Sequence, residues 1–436
     1  MSWTGAAARS IYRHATAVPL AEIPRADPQQ HTMGPAVSLY ALQRLPADLL
    51  DLALRNGLAI ELHGIHPDHL SIVKPGSRMV HPGHWFAYGK AYNRVRPQLF
   101  ALPGPASDTG RQLQRGDALI MAVPPGRDYV LHNARLLQQY LHHRGFPPQL
   151  LRRVVRYPFA EESIADWTGL ARFVRPGDRV LMGYVKELLP HLLAAGGTVV
   201  HKDDSPYYGV VRVAMPGGLE VCALGVRFSF WGCISARLAA ACTRLGAREI
   251  VYVGKLGTLR SPNDIYSTIF CPTSYLDYGA SPRLLDAEAA PRNAVIAEFP
   301  HLDSGTHMSV ATVLEEDLDQ RALAEKHGVQ SIDNEIAQMA RAIAEADAEY
   351  GSTTAFTALH FATDYLRREG EAEHRDIFNL TNHRLGSALR HKDRMIARIA
   401  AVLCEYYTFG EPATAAANPK ARSAAPLPNT LTKRDS

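Results

Sequence analysis

The stretch AREIVYVGKLGTL, from Ala247 to Leu259, contains the clearest fold signal in this chain of 436 residues. Its segment REIVYVGKLG is rich in β-branched and aromatic residues and predicts a buried strand that ends in a glycine turn. The residues before it, ISARLAAACTRLGA, show the apolar spacing of a helix. A helix that leads into a buried strand is typical of an α/β sheet.

The same alternation extends in both directions from this strand and predicts a mainly parallel or mixed central sheet with helices on both faces. The predicted strands are DRVLMG, TVVHKD, GVVRVAM, EVCALGV and TALHFAT. The predicted helices are VKELLPHLLAAGG, EEDLDQRALAEKHG, NEIAQMARAIAEADAEYG and a long last helix over residues 377–407.

Four regions follow from these patterns. Residues 1–35 predict a loosely ordered lead-in, and residues 36–150 a smaller α+β N-terminal domain whose role the sequence does not show. Its helices are predicted in ALQRLPADLLDLALRNG and VLHNARLLQQYLHHRG, and its strands in LAIELHG and DALIMAV. The turn residues FPPQ mark its end. Residues 151–410 are expected to form the catalytic domain, and residues 411–436 predict a disordered tail.

Composition excludes several functional classes. A formal net charge of +4 is too small to indicate nucleic-acid binding. No apolar run reaches the ~18 residues of a membrane span, and no signal peptide is recognisable, so a cytoplasmic location is expected. The cysteines lack metal or disulfide spacing and predict buried thiols in a reducing compartment: Cys222, Cys233, Cys242, Cys271 and Cys404.

Several segments together resemble the purine nucleoside phosphorylase and nucleosidase superfamily. AREIVYVGKLGTL and SPNDIYSTIFCPTSYLDYG are similar to its V-G-[ST]-x-G turn and the strand after it. IDNEIA resembles its [VI]-E-M-E-[SA]-A motif, and ALHFATDYLRR its [VI]-x-x-x-S-D segment. GLEVCALGVRFSFWGCISARLAAACTRLGA resembles the strand, glycine-rich loop and helix that precede them. The similarity covers about residues 177–407 and implies a nucleoside phosphorylase-like fold.

The resemblance implies a role for each matched residue. Asp364 would protonate the departing base, and Glu335 would bind the ribose hydroxyls with Asn334 beside it. Gly254 and Gly257 of the glycine turn would contact the substrate. Cleavage of an N-glycosidic bond builds positive charge on the sugar and negative charge on the base, so an acid and a carboxylate suit this chemistry. The alternatives are that Asp364 caps a helix over YLRREGE and that Glu335 lies on a solvated helix face. Asp333 is expected to cap the helix.

Other positions depart from the phosphorylase pattern. The first turn reads GYVKE, with Glu187 where phosphorylases have an arginine, and Tyr252 replaces a second arginine. A carboxylate repels phosphate. Glu187 instead matches the spacing of methylthioadenosine/S-adenosylhomocysteine nucleosidases, where a glutamate activates water. The alternative is that Glu187 faces solvent on the first turn of its helix.

Cations near these turns predict an anion contact. Lys255 would bind a phosphate group, or it would pair with Glu187 and occupy a vacated phosphate site. Arg227 and Arg367 or Arg368 are further candidates for the anion contact. A separate cluster of histidines lies outside the resemblance and leaves metal binding open, with surface loops as the alternative: His63, His66, His69, His81 and His84.

The sequence therefore predicts an enzyme that cleaves the N-glycosidic bond of a nucleoside or nucleotide by hydrolysis, with purine favoured. Phosphorolysis and a non-catalytic nucleoside-binding regulator are the alternatives. No cofactor is expected, apart from inorganic phosphate if the reaction is phosphorolytic. The expected partner is the small-molecule substrate, with neither nucleic acid nor membrane, and the resemblance implies a homo-oligomer, a dimer or a hexamer.

Overall fold

A computed structural model describes residues 5–82, 97–104, 117–228, 230–278, 283–371 and 386–409. These residues form two β-sheets, one of six strands and one of eleven. The predicted tail over 411–436 and the first part of the predicted last helix lie outside the described residues. The smaller sheet and its helices comprise α1 (Gly5–Ile11), β1 (Thr16–Ala17), α2 (Ala36–Arg44), α3 (Ala47–Arg55), β2 (Ala59–Gly64), α4 (Pro67–Val73), β3 (Arg78–His81), β4 (Gln98–Leu102), β5 (Ala118–Val123), α5 (Arg127–His143) and β6 (Leu151–Arg156).

The smaller sheet has the strand order β1-β6-β2-β5-β4-β3. Its centre is parallel, because α5 crosses over between β5 and β6 and both strands flank β2. The predicted domain boundary near residue 150 therefore falls too early, since β6 still pairs with β2 through Val154 and Leu62. The turn at FPPQ marks the end of α5 and not the end of the sheet.

Residues 5–35 pack against the rest of the chain, in contrast to the loosely ordered lead-in that the sequence predicts. Ile11 and Tyr12 are buried in a core cluster, and Thr16 pairs with Arg156 across β1 and β6. Apolar and aromatic side chains at these positions bury enough surface to order a segment whose composition looks polar.

The larger sheet contains the remaining elements. In chain order these are α6 (Pro158–Glu162), α7 (Ile164–Trp167), β7 (Arg179–Gly183), α8 (Val185–Ala194), β8 (Thr198–Asp204), β9 (Tyr208–Ala214), β10 (Glu220–Val226), α9 (Cys233–Arg244), β11 (Glu249–Thr258), β12 (Ile269–Phe270), β13 (Ser274–Tyr278), β14 (Arg283–Leu285), α10 (Ala294–Glu298), β15 (Thr306–Val310), α11 (Leu318–Lys326), β16 (Val329–Asp333), α12 (Ile336–Tyr350), β17 (Ala355–Tyr365) and α13 (Gly386–Phe409).

Strand β11 is the centre of the larger sheet. It pairs in parallel with β17 over its whole length and with β7 over its first half, and it pairs antiparallel with β16 at its end. Its side chains alternate between two cores, as a strand's period of two requires. Ile250 and Tyr252 lie in the core with α9 and α12, while Val251 and Val253 lie in the core with α8 and α13.

The chain is thus an α/β protein with a mixed central sheet covered by helices on both faces, as the sequence predicts. The smaller sheet joins this body directly, because Phe100, Ile120 and Val155 belong to the same core cluster as α9 and α12. Within the described residues, none of the helices combines the length and apolar character that crossing a bilayer requires.

Gly183, at the end of β7, allows the backbone of β7 to approach the backbone of β11 closely. Its φ is +91°, and a Cβ atom there would lie 1.9 Å from the carbonyl oxygen of Val253. That carbonyl accepts a hydrogen bond from the backbone N–H of Tyr184 at 3.0 Å. Only glycine satisfies both the left-handed backbone and this approach.

We expect Gly183→Ala to destabilise the fold more than Gly177→Ala. Gly177 also has a positive φ, +85°, but a Cβ atom there would meet nothing within 4 Å. The two variants therefore share the backbone strain and differ in the steric clash, which we expect to cost a further ~1–3 kcal/mol. Urea denaturation followed by circular dichroism measures both. Equal destabilisation of the two variants would contradict this account of the junction.

Candidate active site

A cavity of about 60 Å³ lies beside β11, between its pairing with β7 and its pairing with β16. The pairing of β11 with β7 ends at Val253 opposite Gly183, and its pairing with β16 begins only at Gly257. Between these points Lys255 and Leu256 border the cavity, and helix α2, which packs beside the smaller sheet, contributes to its wall. The lining residues are Tyr40, Arg44, Trp231, Lys255, Leu256, Gly257, Val313, Glu316, Ile332, Asp333, Asn334, Glu335, Thr363 and Asp364.

Asp364 lies inside β17, next to an irregularity in the pairing between β17 and β11 at Leu256 and Gly257. This position excludes the helix-cap interpretation. The Thr363 hydroxyl donates a hydrogen bond of 2.8 Å to Asp364 Oδ1. Burial raises the pKa of Asp364 to about 6, while the charge of Lys255 and the bond from Thr363 oppose this shift. The carboxyl group can therefore hold a proton near neutral pH.

Asp333 caps α12, as the sequence predicts, and is the best-satisfied carboxylate of the cavity. Its Oδ1 accepts hydrogen bonds from the backbone N–H groups of Glu335 and Ile336 at 2.9 and 3.1 Å. It also accepts from His307 Nε2 at 2.8 Å and from the Ser309 hydroxyl at 2.7 Å. Burial opposes ionisation, but His307 and Ser309 lower the pKa of Asp333 below its ordinary value. Asp333 therefore serves as an ionised anchor.

Glu335 lies two residues after this anchor and is 4% exposed, which rules out the solvated-face interpretation. The Tyr252 hydroxyl donates to its Oε2 at 3.4 Å, while its Oε1 is buried without a hydrogen-bond partner. Burial and the nearby charge of Asp333 raise the pKa of Glu335 well above its ordinary value. An unpartnered buried carboxyl oxygen at a cavity is an open position for a ligand hydroxyl.

Glu316 is a cavity residue that the sequence reasoning missed. It is 3% exposed, and burial together with Asp364 and Asp333 raises the pKa of its carboxyl group well above its ordinary value. It precedes the cap of α11, where acidic residues are common, so the pattern contains no signal that separates it from Glu315. Only the folded chain shows that Glu316 points inward.

Tyr40 and Arg44, from α2 of the smaller sheet, form another part of the wall that the sequence reasoning missed. They are four residues apart and therefore lie on one face of the helix. The guanidinium of Arg44 lies over the Tyr40 ring, 4.4 Å from its centroid. Trp231 completes this side, and its indole N–H donates to the carbonyl of Ala311 at 3.1 Å.

The other predicted site residues divide into those at the cavity and those elsewhere. Lys255, Gly257 and Asn334 line it, and the Asn334 amide nitrogen also donates to the carbonyl of Val310 at 2.9 Å. Gly254 is not among the lining residues and faces His360, whose Nε2 would lie 2.4 Å from a Cβ atom there.

The structure does not bring Glu187 to the cavity. Its Oε1 accepts from the Lys392 ammonium of α13 at 3.1 Å, so its partner is Lys392 and not Lys255. Because α8 and α13 pack together on the face of the sheet opposite to α9 and α12, Glu187 is directed away from Glu335. The role of a water-activating base at this cavity therefore lacks support for Glu187.

The predicted arginine contacts also lie elsewhere. Arg227 donates to Asp204 at 3.0 Å and to the carbonyl of Ser205 at 2.7 Å. Arg367 donates to the carbonyl of Thr32 at 3.0 Å, and Arg368 to Glu325 at 2.7 Å. Arg367 thus holds the N-terminal segment against the end of β17.

His63, His66 and His69 are buried and hydrogen-bonded, which excludes the alternative of surface loops for them, while His81 is half-buried in β3. His69 bonds the hydroxyls of Tyr12 and Tyr207, both at 3.1 Å, and His63 bonds Tyr157 at 3.0 Å and Glu61 at 3.1 Å. Burial lowers the pKa of His66 to about 4. Across the described residues no group of three or more His, Cys, Asp or Glu side chains has the arrangement of a metal site. His84 lies outside them.

Comparison with known proteins shows a relative that is similar in sequence over most of this chain. No protein-family model matches the chain. A protein of Cordyceps militaris named oxidoreductase cns1 is 34% identical over 412 residues, which are 90% of this chain and 50% of that protein. The chain therefore spans about half the length of the curated relative it matches.

Part of the chain is similar to solved nucleosidase structures. The 5′-methylthioadenosine/S-adenosylhomocysteine nucleosidase of Campylobacter jejuni matches with 12% identity and a TM-score of 0.38, over 53% of this chain and 99% of that chain. The 5′-methylthioadenosine nucleosidase of Arabidopsis thaliana matches with 16% identity and a TM-score of 0.37, over 54% and 98%. A futalosine hydrolase mutant of Helicobacter pylori matches with 10% identity and a TM-score of 0.37, over 53% and 97%. Such scores are too low to assign a function to this chain.

We expect Asp333→Asn to destabilise the protein by about 3 kcal/mol, because the charge that His307 and Ser309 stabilise is lost and the amide N–H₂ lies against the Ile336 N–H that donates to Oδ2 at 3.2 Å. Asp317→Asn is the matched control. Asp317 caps α11 by accepting from the backbone N–H of Gln320 at 2.8 Å, and asparagine caps a helix equally well. Urea denaturation measures both. A loss no larger in Asp333→Asn than in Asp317→Asn would mean that Asp333 is not ionised in the folded protein.

Proposed function

We propose that this cavity cleaves the N-glycosidic bond of a nucleoside or nucleotide by hydrolysis. One observation supports the proposal above the others: Glu335 and Asp364, 29 residues apart in the chain, line the same small cavity. One is a buried carboxyl group with an unpartnered oxygen, and the other is a buried acid with a pKa of about 6. Together they provide a hydroxyl acceptor and a proton donor.

Asp364 would protonate the departing base. Negative charge develops on the base as the bond to the sugar lengthens, and a positioned acid with a pKa near the working pH removes this charge at a gain of roughly 10²–10⁴-fold. Lys255 keeps the pKa of Asp364 from rising further, so proton transfer to the base remains favourable. A purine is favoured because its ring nitrogens accept a proton.

Glu335 would accept hydrogen bonds from the sugar hydroxyls and so hold the sugar at the cavity. Its Oε1 is free for this contact, while Tyr252 holds its Oε2. The anchor at Asp333 fixes the start of α12 and so fixes the position of Glu335. Asn334 borders the same space.

Glu316 would orient the attacking water in place of Glu187. Glu187 is paired with Lys392 on the other face of the sheet, whereas Glu316 lines the cavity. A raised pKa brings a carboxyl group closer to neutral pH, which suits a general base better than the ordinary value does.

The substrate requires an opening movement. A cavity of about 60 Å³ holds a few water molecules, and a nucleoside is several times larger. The wall formed by Tyr40, Arg44 and the Val313–Glu316 segment lies on the side of the smaller sheet. We infer that this wall moves when substrate enters.

Phosphorolysis is the second candidate, and the presence of Lys255 at the cavity favours it. Against it, Glu187 and Tyr252 stand at the positions that hold phosphate-binding arginines in phosphorylases.

The name of the Cordyceps relative suggests a redox activity, but the chain matches only half of that protein. The sequence contains no G-x-G triplet, so the G-x-G-x-x-G fingerprint of dinucleotide-binding domains is absent from it. We therefore place the redox activity of the relative in its other half.

Incubation with a panel of nucleosides and nucleotides, with and without phosphate, tests the proposal by the release of free base. Release without phosphate supports hydrolysis, and release only with phosphate replaces it by phosphorolysis. Binding without release would show a regulatory protein and overturn the catalytic proposal. Addition of NAD or NADP in parallel reactions shows whether a redox step occurs.

We expect Asp364→Asn to reduce base release by at least about 100-fold, because an amide cannot donate the proton that the base requires. Asp166→Asn removes an exposed carboxylate of α7 and should leave the rate unchanged. Full activity in Asp364→Asn would remove this residue from the mechanism.

The rate should fall as the pH rises above about 6, because Asp364 must be protonated to act as the acid. Lys255→Met removes a positive charge that lowers the pKa of Asp364, so the falling limb of log(kcat/KM) should shift to higher pH. Lys202→Met, on the exposed face of β8, should leave the profile in place. A limb that does not respond to Lys255→Met would show that another group controls the profile.

A further inference from the structure

Arg44 is a pre-positioned cation at the wall of the cavity. It is the last residue of α2, where the helix dipole favours positive charge. The Tyr40 ring beneath its guanidinium is buried, and stacking on an aromatic ring limits the freedom of the long side chain. An arginine held in this way loses less entropy when it binds a ligand.

Arg44 forms no ion pair with any carboxylate of the described residues. Across the described residues, no carboxylate lies within ion-pairing distance of its guanidinium, whereas neighbouring arginines are paired. Arg135 bonds Glu315 at 2.6 Å, and Arg127 bonds Asp128 at 2.6 Å. The carboxyl group of Glu316 lines the same cavity, but it forms no ion pair with Arg44, and burial raises its pKa well above its ordinary value.

We propose that Arg44 binds a phosphate group carried by the nucleoside, so that the substrate of the cavity is a nucleotide. This inference rests on the proposed function and specifies its substrate class. A guanidinium presents parallel N–H donors that match two phosphate oxygens, and Lys255 supplies a second positive charge to the same cavity.

A phosphate attached to the substrate fits these residues better than free phosphate does. The turn after β7, where phosphorylases hold inorganic phosphate, here presents Glu187, and this residue is occupied by Lys392. The unpaired arginine comes instead from α2, which belongs to the smaller sheet. Specificity for a nucleotide would give the N-terminal part of the chain a direct role in substrate selection.

Equilibrium binding to proteins that carry Asp364→Asn tests the inference without turnover. Isothermal titration compares adenosine, adenosine 5′-monophosphate and inorganic phosphate in three further variants, Arg44→Met, Arg44→Lys and Arg55→Met. Arg55 is an exposed arginine at the end of the adjacent helix α3 and serves as the matched control. Circular dichroism of each variant verifies the fold. If Arg44→Met does not fold, the comparison with Arg44→Lys still tests the inference.

We expect Arg44→Met to weaken binding of the nucleotide about 10- to 100-fold and to change binding of the nucleoside less than about twofold. Arg44→Lys should have an intermediate effect on the nucleotide, and Arg55→Met none. Equal losses for nucleoside and nucleotide, or no loss for either, would overturn the inference. Arg44-dependent binding of free phosphate as tight as that of the nucleotide would also overturn it. Arg44-dependent nucleotide binding without base release from the unmodified protein would retain this inference and reject the proposed hydrolysis.

Discussion

The exchange of neighbours along β11 is the constraint on which the rest of the structure depends. This strand must leave β7 after Val253 and join β16 at Gly257 while it remains paired with β17 throughout. The backbone groups of the residues between these points border a gap in the sheet, and the gap becomes the cavity. Gly183 permits the close approach at one end of the gap, and the irregular pairing at Gly257 places Asp364 at the other.

The cavity concentrates buried carboxyl groups, and their environments give them different protonation states. Asp333 receives hydrogen bonds from two backbone N–H groups, a histidine and a serine, so its charge is stabilised. Glu316, Glu335 and Asp364 lack this support, and burial raises the pKa of each. Groups with a raised pKa stabilise the folded state at low pH and lose this contribution as the pH rises through the folded-state value. Titratable groups with shifted pKa values are typical of functional sites.

The smaller sheet is part of the site and not a separate attachment. Tyr40 and Arg44 form one wall, and the segment that contains Glu316 is held by the N-terminal residues. His31 bonds the carbonyl of Val313 at 3.0 Å, and the backbone N–H of Thr32 donates to the carbonyl of Glu316 at 3.0 Å. These contacts pack the N-terminal residues closely against the cavity, although they contain no catalytic motif.

The sequence alone determined the strands and helices and the alternation that builds an α/β sheet, because local apolar spacing encodes these features. It also placed the carboxyl groups of Glu335 and Asp364 in ordered segments, both of which border the cavity, and it determined that Asp333 caps a helix. It failed for Glu187, Arg227 and Arg367, because the partner of a charged side chain depends on which distant element packs beside it. Glu316, Tyr40 and Arg44 had no local signal for the same reason. Only the tertiary structure decided which charges are paired and which face the cavity, since burial and long-range contacts arise when the two sheets pack together.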